Sequence, residues 1–540
     1  MHALLDWLMN PLRQLGRELR WSYLPPLMVY MAAGVQGLTG IVGTFFVKEH
    51  LGLSAEFLAA LGFWAGIPWA LKMPIGHLID VLWRFKSGFI LLGAALIAVS
   101  LLIMAGLIAD PAAMANFMSI NSWFVLATLL SPIGYVLQDA TADAMTVEAV
   151  PHVDHHGQPI EPAELKSMHT TMQTLGRVAI IGGTVVVALL NLWVFADASG
   201  MDEATKTTTY RNVYLMALAI PALSLSGLAV ARWQRTRRIR AYQKNGLSAS
   251  EARSLVLAPV EFTPPNVGLL TGSLVFVAFT LGVGLSDLTF SQELIFLGSM
   301  AIITFLMSRL VKELEPRARN TLVGTALVIF IFRATPSPGP GVSWWTIDVL
   351  GFDQGFFSVL SLVASTLTLI GMFVFRRFMA ERSIFDVVIF LTLAGTLLGL
   401  PTLGMSLGLH EWTAAHTGGV VDARFIALVD TALESPLGQI SMIPMLAWIA
   451  NSAPSHLKAT YFAVMASFTN LALSASQLGT KYLNQIFTIT REVKDRTTGT
   501  IQVSANYDDL TPLLLCTLVL ALLLPLGAIA IARWRRWESV

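Results

Sequence analysis

The sequence has little charge and almost no cysteine. Only 13% of its 540 residues are Asp, Glu, Lys or Arg, whereas a soluble protein of ordinary composition carries about 25%. The single cysteine, Cys516, excludes a disulfide scaffold within the chain. The formal net charge of +1 argues against a nucleic-acid partner. No phosphate-binding loop, nucleophile elbow or dinucleotide fingerprint occurs at a usable position, so we expect neither an enzymatic activity nor a bound cofactor.

Apolar residues, by contrast, are abundant. They make up 55% of the chain, and the mean hydropathy is +0.65, a composition typical of a polytopic membrane protein. We predict about fourteen apolar helices, each long enough to cross a bilayer. They lie at about residues 22–47, 55–81, 87–108, 120–147, 166–196, 211–232, 265–286, 292–312, 318–346, 354–380, 384–408, 424–450, 457–487 and 510–533.

Most of the 35 Lys and Arg residues fall in loops on one side of these predicted helices. Under the positive-inside rule, this asymmetry predicts that both termini are cytoplasmic, and it supports an even number of spans. The pattern fits a bacterial inner membrane. Leucines at helical spacing, with arginines between them, predict that residues 1–21 form an amphipathic helix on the inner leaflet.

Two short patterns recur about 300 residues apart. The sequence SPIG at 131–134 recurs as SPLG at 435–438, and LGLSAEF at 51–57 recurs as LGFDQGF at 350–356. Six helices are therefore repeated in the same order and orientation. Two parallel six-helix halves describe the all-α major facilitator architecture, in which the substrate site lies near the membrane midplane between the halves.

The repeat also sets the predicted domain boundaries, because one pair of apolar helices lies between the two halves. The predicted regions are an interfacial amphipathic helix at 1–21, a first six-helix half at 22–232, a cytosolic linker at 233–264, an inserted pair of membrane helices at 265–312, a second six-helix half at 318–533 and a cytosolic tail at 534–540.

Two aspartates stand one helical turn apart inside the fourth predicted span. Asp139 and Asp143 would share one face of that helix. Charges at this depth are costly, so such carboxylates are candidates for function, although structural pairs also occur. We expect Asp139, deeper in the span, to bind substrate or carry the coupling proton, since burial favours the protonated carboxyl. Asp143 lies nearer the cytoplasm and is assigned to proton coupling or gating.

Lys72 is a cation within the second predicted span. It lies between Pro68 and Pro74, which free backbone carbonyls and can unwind a span beside a cavity. A position of this kind is a candidate for binding an anionic substrate. A structural ion pair with Asp139 or Asp143 is the alternative, and the sequence does not decide between them.

Three further polar residues within spans are candidates for substrate binding. Arg333 precedes closely spaced prolines, so we predict that the ninth span is broken there, as binding helices of transporters often are. Its planar guanidinium suits a carboxylate, with a buried salt bridge as the alternative. Arg177 in the fifth span binds an anion or snorkels to the interface. Gln36 in the first span offers an amide to a ligand or to a neighbouring helix.

Two other groups of residues have a structural interpretation that we favour. The loop VPHVDHHGQPIEP at 150–162 contains three histidines, but their spacing does not match a zinc pattern, so we predict a solvated loop and no metal site. Four tryptophans could stack on a flat ligand, but tryptophan is the usual residue of the membrane interface, where we expect them. These are Trp64, Trp69, Trp344 and Trp345.

Several segments resemble the folate-biopterin transporter family of the major facilitator superfamily. The sequence IPWALKMPIG at 67–76 is similar to that family's PW-x-x-K-P-x-x-G pattern, with an additional Met between the Lys and the Pro. Further segments resemble the family's first, fourth, seventh and eleventh conserved spans, at 30–53, 139–150, 332–352 and 459–479. The resemblance covers most of the chain and implies a major facilitator fold and a folate-like or pterin-like substrate.

A second resemblance concerns the loop after the second span. The sequence GHLID at 76–80, followed by Arg84 and Lys86, resembles the loop signature of major facilitator transporters. In that superfamily the acid holds the inward gate, so the resemblance implies a gating role for Asp80. The second half departs from the first, because Met442 and Ile443 stand where the repeat would place Asp139.

The residues and the resemblance together predict a secondary active transporter that works by alternating access and takes up folate or a related pterin with protons. The expected partners are this substrate, protons and the lipid bilayer, and we expect a monomer. Two alternatives stay open, namely the same fold carrying another organic anion or a drug, and a membrane assembly or chaperone protein that moves no solute. The candidate site residues are Lys72, Asp139, Arg333, Gln36 and Arg177 for substrate, and Asp139, Asp143 and Asp80 for coupling or gating.

Overall fold

Helices make up nearly all of the regular structure. The structure, a computed structural model, describes residues 19–51, 53–70, 72–82, 85–150, 160–197, 200–244, 246–256, 290–312, 316–375, 382–438, 458–494 and 501–537, with isolated positions between 271 and 288 and at 378. The predicted amphipathic helix up to residue 18, the end of the linker and most of the first inserted helix lie outside the described residues.

The helices of the first half follow the predicted spans. Pro25 and Pro26 occupy the first turn of the first helix, where a missing N–H costs nothing. A short 3-10 turn, Gln36–Thr39, joins the first two helices into one span. The helices are α1 Leu24–Val35, α2 Gly40–His50, α3 Ala55–Ala70, α4 Lys72–Val81, α5 Lys86–Ala109, α6 Pro111–Ala115, α7 Ile120–Ala149, α8 Pro162–Val194, α9 Glu203–Met216 and α10 Ala219–Lys244.

The linker, the insert and the second half continue the same pattern. Their helices are α11 Ala249–Val256, α12 Ser291–Lys312, α13 Pro316–Ala334, α14 Gly341–Asp348, α15 Gln354–Val374, α16 Ile384–Ser406, α17 Leu409–His416, α18 Ala423–Glu434, α19 Lys458–Ile486 and α20 Leu510–Trp534. Prolines at 336, 338 and 340 lie between α13 and α14 and cannot donate backbone hydrogen bonds. The predicted break in the ninth span is therefore confirmed.

The number of spans is a separate question from the fold. Among the described residues, eight helices are long and apolar enough to cross a membrane. Several other predicted spans are interrupted, as the one that contains α13 and α14 is, or include residues that the structure does not describe, as the one that contains α3 and α4 does. The prediction of fourteen spans therefore stays a prediction.

The two halves pack against each other symmetrically. In the described structure, α3 packs along α19, and α8 packs along α15. In the sequence repeat, α3 and α15 are the second spans of their halves, and α8 and α19 are the fifth. A pseudo-two-fold axis along the membrane normal produces this reciprocal pairing. The all-α major facilitator architecture predicted from the repeat is thus the fold that the structure shows.

Each half has its own apolar core and a close helix crossing. In the first half, α1 crosses α8 where Gly34 lies against Ile180 and Gly183, and a Cβ at Gly34 would overlap the Ile180 carbonyl. In the second half, Gly371 of α15 lies against the backbone of Pro436, which leaves no room for a side chain. Glycine therefore allows backbone-to-backbone contact in both halves.

Two segments differ from the predicted loops. The helix α10 runs to Lys244, past the predicted boundary at 232, because Arg, Gln and Ala are good helix formers and water hydrates the charges. The loop near 495 contains an antiparallel pair of short strands, β1 Val493–Lys494 and β2 Ile501–Val503. The sequence analysis missed this hairpin, which lies between α19 and α20.

The ends of several helices define the two faces of the protein. Lys48 near the end of α2 pairs with Asp348 at the end of α14, and Tyr507 just before α20 donates to Asp348 at 2.5 Å. The span α1–α2 runs toward this face and α20 runs away from it. The described chain therefore begins and ends at one face, the terminal face, and the contacts of Asp348 mark the opposite face.

Candidate functional site

A lysine in the second span faces two aspartates in the fourth. Lys72 Nζ lies 2.6 Å from Asp139 Oδ2 and 2.7 Å from Asp143 Oδ2. Lys72 is the first described residue of α4, and the proline-containing helix α3 is described up to Ala70. The spacing of four residues on α7 turns both carboxylates toward this cation. The structural ion pair that was the alternative to a ligand role for Lys72 is therefore present. Lys72 bridges both carboxylates.

Tyr30 forms a hydrogen bond with Asp143. Its hydroxyl donates to Asp143 Oδ1 at 2.6 Å. Gly176 of α8 makes room for the phenol ring, because a Cβ at Gly176 would lie 2.8 Å from the ring carbon Cε2. The sequence analysis missed Tyr30. A buried phenol hydroxyl needs a polar partner, but the sequence does not show which residue would be the partner of Tyr30.

Arg177 lies at the edge of this group. It is close enough to Asp139 and Tyr30 to act on both electrostatically. Two cations therefore face two carboxylates, and the near neutrality lowers the cost of holding the charges between helices. We call Lys72, Asp139, Asp143, Tyr30 and Arg177 the Lys72 cluster.

The members of the Lys72 cluster differ in their access to solvent. The exposed fraction of the side chain is 17% for Asp139, 26% for Lys72 and 45% for Asp143. The cluster is therefore open on the Asp143 side and closed on the Asp139 side.

Arg333 lies in the last turn of α13 and has no such partners. Its side chain is half-buried, and among the described residues it forms no hydrogen bond and no ion pair. It precedes the break between α13 and α14. An arginine that is desolvated without an acid nearby is a suitable receptor for an anionic group.

The backbone of that break is held by polar side chains of α19. Ser476 Oγ donates to the Thr335 carbonyl at 2.7 Å. The Ser337 N–H donates to Thr480 Oγ1 at 3.0 Å. Gly339 adopts a φ of 80°, which favours glycine. These bonds satisfy groups that prolines leave without helical partners, so the interruption is a fixed feature of the span.

The other candidate residues lie apart from the Lys72 cluster. Gln36 is exposed in the 3-10 turn that joins α1 to α2. Asp80 lies near the end of α4, and its side chain is outside the described part of the chain. Among described residues, no contact joins Gln36 or Arg333 to the cluster. The histidine-rich loop at 152–156 also lies outside the described residues.

The expected interface position of two tryptophans is wrong. Trp344 and Trp345 of α14 are 1% and 5% exposed, and both belong to an apolar core on the opposite face. Trp64 and Trp69 are half-buried on α3. Asn470 of α19 donates to the Trp69 carbonyl at 3.0 Å, which uses that amide to join two helices rather than to hold a ligand.

A pair of acids in the second half escaped the sequence analysis. Asp430 and Glu434 stand one turn apart on α18, with Asp430 half-buried and Glu434 exposed. The spacing is the one that singled out Asp139 and Asp143, so the same signal was present. No cation among the described residues pairs with either of them. The two halves thus carry acids at different places along the fourth span of the repeat.

One group of side chains on the opposite face has the composition of a metal site. His50 Nε2 lies 3.8 Å from Glu49 and 3.8 Å from Glu203. Glu203 is largely exposed. These contacts are weak ion pairs when His50 is protonated.

Reciprocally packed halves, a broken span and a charged cluster between helices define a membrane transporter of the major facilitator type. The family model described as the BT1 family matches residues 33–533. The chain therefore belongs to the BT1 family, the family of the folate-biopterin transporters, as its sequence motifs predict.

Comparisons with known proteins agree with this assignment. The chain is 24% identical over 468 residues to a protein of Synechocystis sp. named folate-biopterin transporter, and the match covers 85% of this chain and 74% of that one. The fold is similar to a POT family transporter solved in complex with 5-aminolevulinic acid, with a TM-score of 0.58, 11% identity and coverage of 97% and 96%. It is also similar to a D-xylose-proton symporter, with a TM-score of 0.51, 12% identity and coverage of 94% and 95%.

Proposed function

We propose that this protein takes up folate or a related pterin together with protons, and that it works by alternating access. The observation that carries the proposal is the Lys72 cluster, in which one lysine bridges two carboxylates between helices. The similarity to the Synechocystis protein named folate-biopterin transporter supports the choice of substrate. The chemistry also fits, since a pterin ring edge suits a carboxylate and a glutamate tail suits cations.

The cluster offers a direct route to coupling. A substrate carboxylate that binds Lys72 competes with Asp139 and Asp143 for the same cation. A carboxylate that loses its cation inside a membrane protein takes up a proton, because an unpaired buried charge is costly. Binding of the anion and protonation of Asp139 would then accompany each other. Release of the substrate returns Lys72 to Asp139 and expels the proton.

The remaining candidates take supporting roles in this proposal. Arg333 binds an anionic group of the substrate from the second half, and Arg177 and Gln36 line the path from the first half. Asp143 and Asp80 act in proton coupling or gating on the terminal face. That face is the cytoplasmic one, and the membrane is a bacterial inner membrane. The protein works as a monomer. Its domains have the boundaries predicted from the repeat.

Uptake of labelled folate into proteoliposomes tests the proposal. We expect accumulation with an inward proton gradient and only equilibration without one. Thermal unfolding in the presence of folate, pterin and other organic anions measures binding separately. Neither uptake nor a shift in unfolding temperature with any pterin would refute the folate assignment. Uptake of another organic anion alone would keep the transport mechanism and change its substrate.

A further inference from the structure

On the opposite face, an arginine of the second half donates hydrogen bonds to backbone carbonyls of the first half. Arg491 lies in the loop between α19 and β1 and is 3% exposed. Its Nε donates to the Lys48 carbonyl at 2.9 Å, and one terminal nitrogen donates to the Val47 carbonyl at 3.0 Å. The guanidinium also donates to the carbonyls of Leu51 and Leu53.

These carbonyls belong to the end of α2 and to the loop that follows it. The last carbonyls of a helix lack partners within the helix and carry partial negative charge, so a cation is stabilised there. The guanidinium carbon Cζ of Arg491 also lies 4.3 Å from the centre of the Trp344 ring, a favourable cation–π distance. Burial lowers the pKa of Arg491 to about 10, so the side chain keeps its charge at neutral pH. Four of its hydrogen bonds go to backbone carbonyls, which makes the contact with the end of α2 its main interaction.

The base of the hairpin fixes Arg491 to the second half. The neighbouring Thr490 exchanges two backbone hydrogen bonds with Asn506, at 3.0 and 2.9 Å. Ile489 is buried against Gly341 at the start of α14. The arginine and its support therefore belong to one half, whereas the carbonyls that it binds belong to the other.

A second contact crosses the same boundary next to Arg491. The ammonium of Lys48, which is 7% exposed, pairs with the Asp348 carboxylate of the second half. Tyr507 holds the other oxygen of Asp348. The backbone carbonyl of Lys48 thus accepts a hydrogen bond from Arg491, and its side chain pairs with Asp348. The two contacts must break together when this face opens.

We infer that Arg491 holds the two halves together on the opposite face. It binds the end of α2 when that face is closed and leaves it when the face opens, and we call this contact the latch. The inference rests on the alternating-access part of the proposed function but not on its substrate. An arginine suits this role because its five donors can be transferred to water as the face opens. Each charge-assisted bond across the boundary favours the closed state.

Spin-label distances between the halves test the latch. Ala204 at the start of α9 and Ala415 of α17 are both exposed near the opposite face, one in each half. Labels are placed with Ala204→Cys and Ala415→Cys in a Cys516→Ala background, and distance distributions are measured in lipid nanodiscs. With Arg491→Met we expect the ratio of open to closed populations to rise about tenfold or more, given the usual strength of charged hydrogen bonds.

Arg424→Met is the matched control. Arg424 also lies on the opposite face and donates to a carbonyl, that of Gly351, at 2.9 Å. Both residues belong to the second half, so this bond does not cross the boundary. We expect the distance distribution of Arg424→Met to match that of the parent protein. An equal shift in both variants would contradict the latch.

A second variant covers the case in which Arg491→Met does not fold. Lys48→Met keeps the carbonyl that Arg491 binds and removes only the ion pair to Asp348, and we expect a smaller shift in the same direction. Unchanged distances in every folded variant would overturn the inference. The measurement needs no substrate, so a failure of folate uptake with a clear shift in distances would reject the proposed substrate and leave the latch standing.

Discussion

The two halves share one architecture, but the cations Lys72 and Arg333 within their spans have different surroundings. In the first half, Lys72 is bonded to Asp139 and Asp143, and Tyr30 adds a further bond. In the second half, Arg333 has no partner among the described residues. Lys72 is therefore neutralised without substrate, whereas Arg333 is left without a neutralising group among the described residues.

This contrast has a physical basis in the cost of buried charge. Removing one member of a buried ion pair leaves the other charge uncompensated, which is strongly destabilising. Removing a half-buried charge that has no partner relieves a desolvation cost instead. Substitutions in the two halves should therefore differ in the sign of their effect on stability even where both abolish transport.

The largest effect is expected from Lys72→Met. Asp139 and Asp143 would then lose the cation bonded to both and keep only the more distant Arg177, so the free energy of unfolding should fall by about 3 kcal/mol and uptake should reach background. Thermal unfolding in detergent and proteoliposome uptake measure the two effects. The double variant Lys72→Met with Asp139→Asn removes one charge of each sign. It should regain most of the stability and none of the uptake, and a double variant as unstable as the single one would contradict the ion-pair argument.

The next effect concerns Arg333→Met. Loss of a charge-assisted contact to substrate should raise the apparent KM or the Kd about thirtyfold or more, with an unfolding temperature that is unchanged or higher. Arg333→Lys keeps the charge but not the planar fork, so its KM or Kd should lie between that of the parent protein and that of Arg333→Met. A marked loss of stability in Arg333→Met would show that this arginine has a structural partner, and the contrast between the halves would fail.

The two aspartates provide a finer test within the first half. Asp139→Asn cannot carry a proton, so we expect exchange of labelled for unlabelled folate to persist while accumulation driven by a proton gradient is lost. Asp143→Asn should slow uptake by about threefold to tenfold, since the loss of one hydrogen-bonded carboxylate oxygen costs about 1 kcal/mol, and keep its dependence on the gradient. Counterflow and gradient-driven uptake in parallel distinguish the two behaviours. The reverse assignment would follow if only Asp143→Asn lost the coupling.

The smallest effect is expected from Tyr30→Phe. This change deletes the hydrogen bond to Asp143 and keeps the ring that packs against Gly176, so it should cost about 1 kcal/mol of stability and a few-fold in uptake rate. Tyr135→Phe is a suitable control, because Tyr135 is a buried tyrosine of the same helix as Asp143. Equal effects of the two variants would mean that the hydroxyl of Tyr30 has no special role.

Local patterns in the sequence predicted the fold and part of the site. Apolar runs and the repeated SPxG frame predict two six-helix halves, and the spacing of Asp139 and Asp143 predicts that both face the same way. The prolines after Arg333 predict the broken span. Each of these features is encoded within a few residues, where helix geometry or the missing proline N–H determines the outcome.

Contacts between distant segments could not be predicted in the same way. Tyr30 and Asp143 are 113 residues apart, and Arg491 and its acceptor Leu51 are 440 residues apart. Nothing near Tyr30 or Arg491 in the sequence distinguishes it from a core tyrosine or a loop arginine. Trp344 was expected at the interface for the same reason, because it packs with Ile489 and Arg491, which come about 150 residues later.

The glycine crossings restrict which motions the protein can use. Where Gly34 meets Ile180, and where Gly371 meets Pro436, backbone touches backbone, and no side chain can change rotamer to let the helices slide. Each half is consequently stiff at its centre, and the site geometry around Tyr30 travels with its half as a unit. Bulky substitutions at these glycines should therefore hinder the assembly of a half rather than slow a movement between the halves.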